Sequence, residues 1–317
     1  MNIINYLNTT KEKDFIDCRI RRLRDYFSYN NLNLDIYDVF ILGKTIDCAL
    51  LKFKYEKDHP YELYLLGASN HEIEQDLFEF LGINYIPSEI KENGSQHPKK
   101  IKIDDFEKMI NSQTFPLQVN PYYSTIAIDQ NNVEEINLNH TKLLWEALRK
   151  TCESMLIGNE MVLDNTYEYK YISFGLHNLQ EIIRINNELK EMLLDRKITG
   201  EVKLRFFKLY SRKLREMLMQ GSNYCYRKEF GESLVAMSRK LDESRLKNIG
   251  VQFKNISRLW IELTNTLLFN NKDIKSENIY RSLNKANSLI EEIYNREYKL
   301  FNELYILTHF YVMNVMV

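Results

Sequence analysis

The sequence predicts an α+β arrangement over residues 1–165 followed by an all-helical unit over residues 166–317. Three observations carry this prediction. In the second part apolar residues recur in alternating steps of four and three along long stretches, as they do on helices with one buried stripe. In the first part short apolar runs bounded by turn residues alternate with helical stretches. Hydrophobic residues make up 44% of the 317, with only 10 Gly and 5 Pro, so the chain can bury a sizeable core and carries little linker material.

Taken in order, the segment from Cys18 to Tyr29 places Ile20, Leu23 and Phe27 at helical spacing. The stretch ALLKFKYEKDHPYELYLLG, Ala49 to Gly67, reads as a strand, a turn at Asp58-His59-Pro60 and a second strand. A helix from Ser69 to Leu81 follows, with Ser69 as its cap, Ile73, Leu77 and Phe80 on one face, and Gly82 as its stop. GINYIP, FPLQVNPYY and STIAIDQ read as further short strands. KENGSQHPKKIKIDD lies between them as a polar loop, and Asp104 can cap a short helix through Ile110. From Asn139 the pattern turns helical, with Leu143, Leu144, Ala147 and Leu148 on one side. A break near Gly158 leads into MVLDNTYEYKYISFG, strand-like or irregular. Three regular seams follow: Phe230 to Leu241, Ile249 to Leu267 and Ile279 to Tyr311. They call for long helices packed near-antiparallel. No fixed-period repeat supports a solenoid.

Charge and cysteine usage narrow the class. Lys+Arg number 43 and Asp+Glu 44, a balance that argues against nucleic acid or an anionic membrane as partner. Cys18, Cys48, Cys152 and Cys225 are scattered, with no C-x-x-C, and read as reduced thiols of a cytoplasmic protein. The start, MNIINYLNTTKEKDF, has no apolar core of a signal peptide, and FYVMNVMV at the other end is too short to span a bilayer.

Cys18 is the foremost candidate for chemistry. Asp17 is a favoured N-cap residue, so Cys18 falls in the first helical turn, where unpaired N–H groups and the helix dipole favour a thiolate. Arg19, Arg21, Arg22 and Arg24 add positive charge, as a solvated helix face or a dock for an acidic partner. The competing reading of Cys18 is a small packing residue. A thiol nucleophile needs a base. Of His59, His71, His97, His140, His177 and His309, chain order favours His140, with Asp164 as an orienting carboxylate; against this, His140 reads as a surface residue near a helix cap. There is no H-E-x-x-H, P-loop or G-x-G-x-x-G, so no cofactor or metal is expected. Asp35 and Asp38, and Asp104 and Asp105, read as turn and cap residues. Arg227, in GSNYCYRKEFGESL, reads as a structural or substrate-binding arginine. The last seam is apolar or aromatic at every four-three position except Glu297. A carboxylate there must be paired, and Arg227, Arg258 or a Tyr hydroxyl are the candidate partners.

Several of these pieces together resemble the butirosin biosynthesis protein H family, which joins a papain-like N-terminal domain to a helical one. DCRIRRLRDYFSYNNLNLDIYDVFILG resembles its nucleophile segment, and LLGASNHEIEQDLFEFLGINY and FPLQVNPYY its next helix and strand. ISFGLHNLQEII, GSNYCYRKEFGESLV, ISRLWIELTNTLL and ANSLIEEIYNREYKLFNEL resemble its helical part in order. The resemblance implies a papain-like fold over residues 1–165. It also implies amide formation by acyl transfer from a carrier-protein thioester to a small-molecule amine, with Cys18 as nucleophile. Its partners would be an acyl carrier protein and the amine acceptor, with a homo-oligomer open. The family's His-bearing strand has no counterpart: STIAIDQ follows VNPYY directly, and Asp129 stands for the acidic residue. Either His140 or another histidine replaces the base, or the chain is a silent relative that binds or scaffolds a pathway partner.

Overall fold

The computed structural model describes residues 18–53, 63–69, 73–86, 114–119, 122–127, 130–160, 169–218, 225–267 and 276–314. Asp17, the turn at Asp58-His59-Pro60, the helix expected from Asp104, and Asp129 and Asp164 lie outside these residues.

The chain enters through α1 (Cys18–Tyr29), which buries Ile20, Leu23 and Phe27 as their spacing requires. Asn31, in left-handed backbone, turns the chain toward α2 (Ile36–Leu42). Asp35 caps α2: its carboxylate accepts the N–H groups of Tyr37 and Asp38, and the Asp38 side chain accepts the Asp35 N–H. The next elements are β1 (Ile46–Phe53), β2 (Leu63–Ser69), α3 (Ile73–Phe80), β3 (Asn84–Ile86), β4 (Thr114–Val119) and β5 (Tyr122–Ala127). Ser69 falls at the end of β2 and α3 is described from Ile73, whereas Gly82 stops α3 in left-handed backbone as its position implies.

The long helix α4 (Gln130–Ile157), β6 (Asn159–Glu160) and β7 (Tyr169–Phe174) follow. One antiparallel sheet has the order β2-β1-β7-β6 and another β3-β5-β4. β1 is the buried centre of the first: Cys48, Ala49 and Leu51 are fully enclosed, covered by α4, by α5 (His177–Leu194) and, over β2, by α6 (Gly200–Leu218). Gly158 and Gly175, both at positive φ, let the chain cross close to itself beside His177, where a side chain on Gly158 would meet the Phe174 carbonyl oxygen at 2.5 Å.

The remaining helices are α7 (Arg227–Lys240), α8 (Ser244–Leu267) and α9 (Ser276–Asn314). α9 has 39 residues, about 58 Å of helix at 1.5 Å per residue. It runs antiparallel to α5, through Asn186–Asn287 and Lys190–Asn284, and to α8, through Phe253–Phe301 and Lys285–Glu262. Tyr311 stacks on Trp145 of α4 at 4.4 Å and donates to Glu243 in the α7–α8 turn, which ties down the far end of α9. Among the described residues no helix is long and apolar enough to cross a membrane.

The expected papain-like α+β fold is therefore corrected. The described chain is mostly helical, its strands are short and antiparallel, and the helix that begins at Cys18 packs on another helix, α2, rather than on a sheet. The physical reason lies in residues 20–42. Their apolar positions have helical period in two consecutive segments, which bury on each other and, through α2, on α4 and α7. The mainly helical second part agrees with the sequence reading. A single apolar core runs from Ile20 to Val312.

Candidate functional site

Cys18 is the first residue of α1, and its side chain lies outside the described residues. Of the basic residues beside it, Arg24 pairs with Asp25 and Arg22 is exposed, and Arg21 is half-buried with an Nε that finds no acceptor among the described residues. His140 sits in the middle of α4, not at a helix start. Its segment docks on the turn after α1: the Asn137 side chain donates to the Asn31 carbonyl and accepts the Asn33 N–H. Cys18 is at the opposite end of α1, about 16 Å of helical rise from Tyr29. The structure thus brings His140 to the capping box of α2.

There His140 Nε2 stands 3.4 Å from Asp38 Oδ2. The separation is that of a charge contact; Nε2 has no aligned hydrogen-bond partner among the described residues. Lys240, at the end of α7, donates to Asp38 Oδ1 at 2.7 Å and contacts Asp35 Oδ2 at 2.6 Å. Burial of the Asp38 carboxyl would raise its pKa, but His140, Lys240 and the Asp35 N–H outweigh this and hold it below the usual range. In the same way the two carboxylates overcome partial burial and raise the pKa of Lys240. The cluster joins α2, α4 and α7, with Asp38 and Lys240 202 residues apart. Asp38 as a cap was legible from Asp35-x-x-Asp38; its bridging partners were not.

The second cluster is fully enclosed. Arg227 and Glu297, both 0% exposed, form a two-pronged pair: Nε donates to Oε1 at 2.9 Å and Nη2 to Oε2 at 3.0 Å. Trp260 Nε1 donates to the same Oε1 at 2.7 Å, and the guanidinium lies 4.9 Å from the centre of the Trp260 ring. Arg227 Nη1 reaches the carbonyls of Asp47 and Cys225. Desolvation would weaken the cation, yet the Glu297 carboxylate more than offsets it and raises the Arg227 pKa. Cys225 and Tyr226 both hold left-handed backbone just before α7, which aims Arg227 inward. The broken seam at Glu297 is the one the sequence singles out, and of the candidate partners Arg227, Arg258 and a Tyr hydroxyl the pair is made with Arg227; the tryptophan donor had no sequence signal.

Around this pair, burial pushes the Cys48 and Cys225 thiols well up, as it does that of Cys152 on the buried face of α4, so all three are poor nucleophiles. Burial also raises Asp47 to about 6, against the pull of the Cys48 N–H, Arg227 and Lys44. Among the described residues no group of three His, Cys, Asp or Glu side chains can hold a metal.

The chemistry on the surface is different. Between α8 and α9 lies a groove of about 340 Å³ lined by Gln252, Asn255, Ile256, Arg296, Lys299 and Leu300. Ile256 and Leu300 are nearly buried and form its apolar floor. Arg296 and Lys299, exposed, stand on one wall, and two carboxamides face them from the other helix. No protein-family model matches the sequence, and no curated protein is significantly similar to it.

Proposed function

We propose that this chain is an interaction protein, a helical scaffold that holds a partner protein on its α8–α9 face. The observation that carries this reading is the groove itself: cations and carboxamides converge over an apolar floor, on helices anchored from beneath by the Arg227–Glu297–Trp260 cluster. The best-placed polar groups elsewhere are committed internally. Asp38, Lys240 and His140 bind three helices together, and the buried thiols are held in their unreactive form. Acyl transfer through Cys18, which the resemblance implies, is the competing outcome.

The test uses the full chain and an acyl-loaded carrier protein, the partner class that the resemblance suggests. Intact-mass analysis should find no acyl adduct on Cys18, and Cys18→Ser should bind partners as the unaltered protein does. An adduct on Cys18 that passes its acyl group to an amine would overturn the scaffold reading.

A further inference from the structure

We infer, building on that reading, that the α8–α9 groove takes an acidic helical segment of the partner protein. The argument begins with charge. Lys299 makes no ion pair among the described residues, and Arg296 one turn before it is engaged only by Glu292 of its own helix. Both cations are exposed above the nearly buried Leu300, and Arg258 adds an exposed cation one turn beyond Asn255 on α8. Of the acids on the neighbouring helices, Glu262 of α8 pairs with Lys285 of α9, and Glu232 of α7 with Lys254 and Lys228. The groove lining therefore carries two cations and no carboxylate, and the side chains that face the cations, Gln252 and Asn255, are neutral donors and acceptors.

Shape then selects the occupant. Four of the six lining residues are exposed, so a small molecule would keep much of its surface in water, whereas ligand pockets bury most of theirs. Two antiparallel helices side by side offer the furrow into which a third helix packs. One apolar side chain of such a segment would cover Ile256 and Leu300. Carboxylates three or four residues to either side would then meet Arg296 and Lys299, which are themselves three apart.

The probe is a labelled helical peptide in which a leucine is flanked by glutamates three and four residues away, with a second peptide carrying glutamine in their place. Anisotropy titrations against the full chain should show binding of the glutamate peptide, with the glutamine peptide at least about tenfold weaker. Lys299→Glu, on an exposed helix position, should leave the circular dichroism unchanged and weaken the glutamate peptide by about tenfold or more. Raising the ionic strength from about 0.05 to about 0.3 M should weaken it in parallel. Equal binding of both peptides, or indifference to Lys299→Glu, would overturn the acidic-dock proposal while leaving a scaffold role through another face intact. Displacement of the peptide by free glutamate at equal concentration would assign the groove to a small anion and overturn it too. Self-association abolished by Lys299→Glu would assign it to a second copy, with the same consequence. An acyl adduct on Cys18 bears on the scaffold reading alone.

Discussion

At the scale of single residues, burial decides what each charged group can do. Glu297 and Arg227 are sealed from water, so each is the partner that offsets the cost of burying the other. Glu297→Ala would strand the guanidinium and should cost roughly 3–5 kcal/mol in chemical denaturation. Glu297→Gln keeps an acceptor for Trp260 but removes the countercharge, and should also cost more than a surface change. Replacing both partners by apolar residues should cost much less than the sum of the single changes, because no charge is left unpaired. Additive losses in that double-mutant cycle would mean the pair is not coupled. Asp47 responds to pH with the opposite sign from a salt-bridged acid. Its carboxyl in the fold titrates at about 6, above its value of about 4 in an unfolded chain, so the native state holds the proton longer. The contribution is fully present below about pH 4 and is lost as pH rises through about 6, on the order of 2–3 kcal/mol. Asp47→Asn should flatten this part of the stability profile between about pH 4 and 7. An unchanged slope in the variant would assign the pH dependence to another group.

At the scale of elements, the close approach of two helices is legible only in three dimensions. Gly231 of α7 and Gly250 of α8 face each other where the two helices cross: a Cβ on either would lie 2.4 Å from the other's carbonyl oxygen. Such a contact is with backbone and cannot be relieved by a rotamer. Gly231→Ala should therefore destabilise by about 1–3 kcal/mol, despite the higher helix propensity of alanine. Gly200, at the start of α6, has nothing within 4 Å of its Cβ direction, and Gly200→Ala should be neutral or stabilise by up to about 1 kcal/mol. Equal effects of the two in thermal unfolding would mean that the α7–α8 spacing is not set by these glycines. The helices themselves were legible because apolar period survives without knowledge of partners: Ile249 to Leu267 and Ile279 to Leu307 are buried along the expected stripes. Glu297 was legible for the same reason, as a polar break in an otherwise apolar seam. The capping box of α2 was also local, since Asp35 and Asp38 lie within one turn of each other.

At the scale of the whole molecule the sequence said less, because long-range partners leave no periodic trace. Lys240 meets Asp38 across 202 residues, and β1 pairs with β7 across more than a hundred. Reading residues 20–42 as part of a sheet-based domain failed at this scale: the helical period was visible, but the helices on which those residues bury lie far along the chain. The same long-range pairing makes a definite prediction about fragments. Expressed alone, residues 166–317 would keep β7 without β1 or β6 beside it, and would uncover the faces of α5 and α6 that pack on β1 and β2. Arg227 would also lose the Asp47 carbonyl, one of the acceptors that satisfy its guanidinium. The uncovered strand and apolar faces favour association over native packing. The fragment should keep its far-UV helical signal and lose near-UV aromatic structure and a sharp thermal transition, the behaviour of a compact state without fixed packing. Adding residues 1–165 in trans should restore some of both if the two segments recognise each other through the β1–β7 ladder. A fragment that melts cooperatively near the temperature of the intact chain would show that the helical part is stable without β1, and that the shared sheet contributes little to the whole.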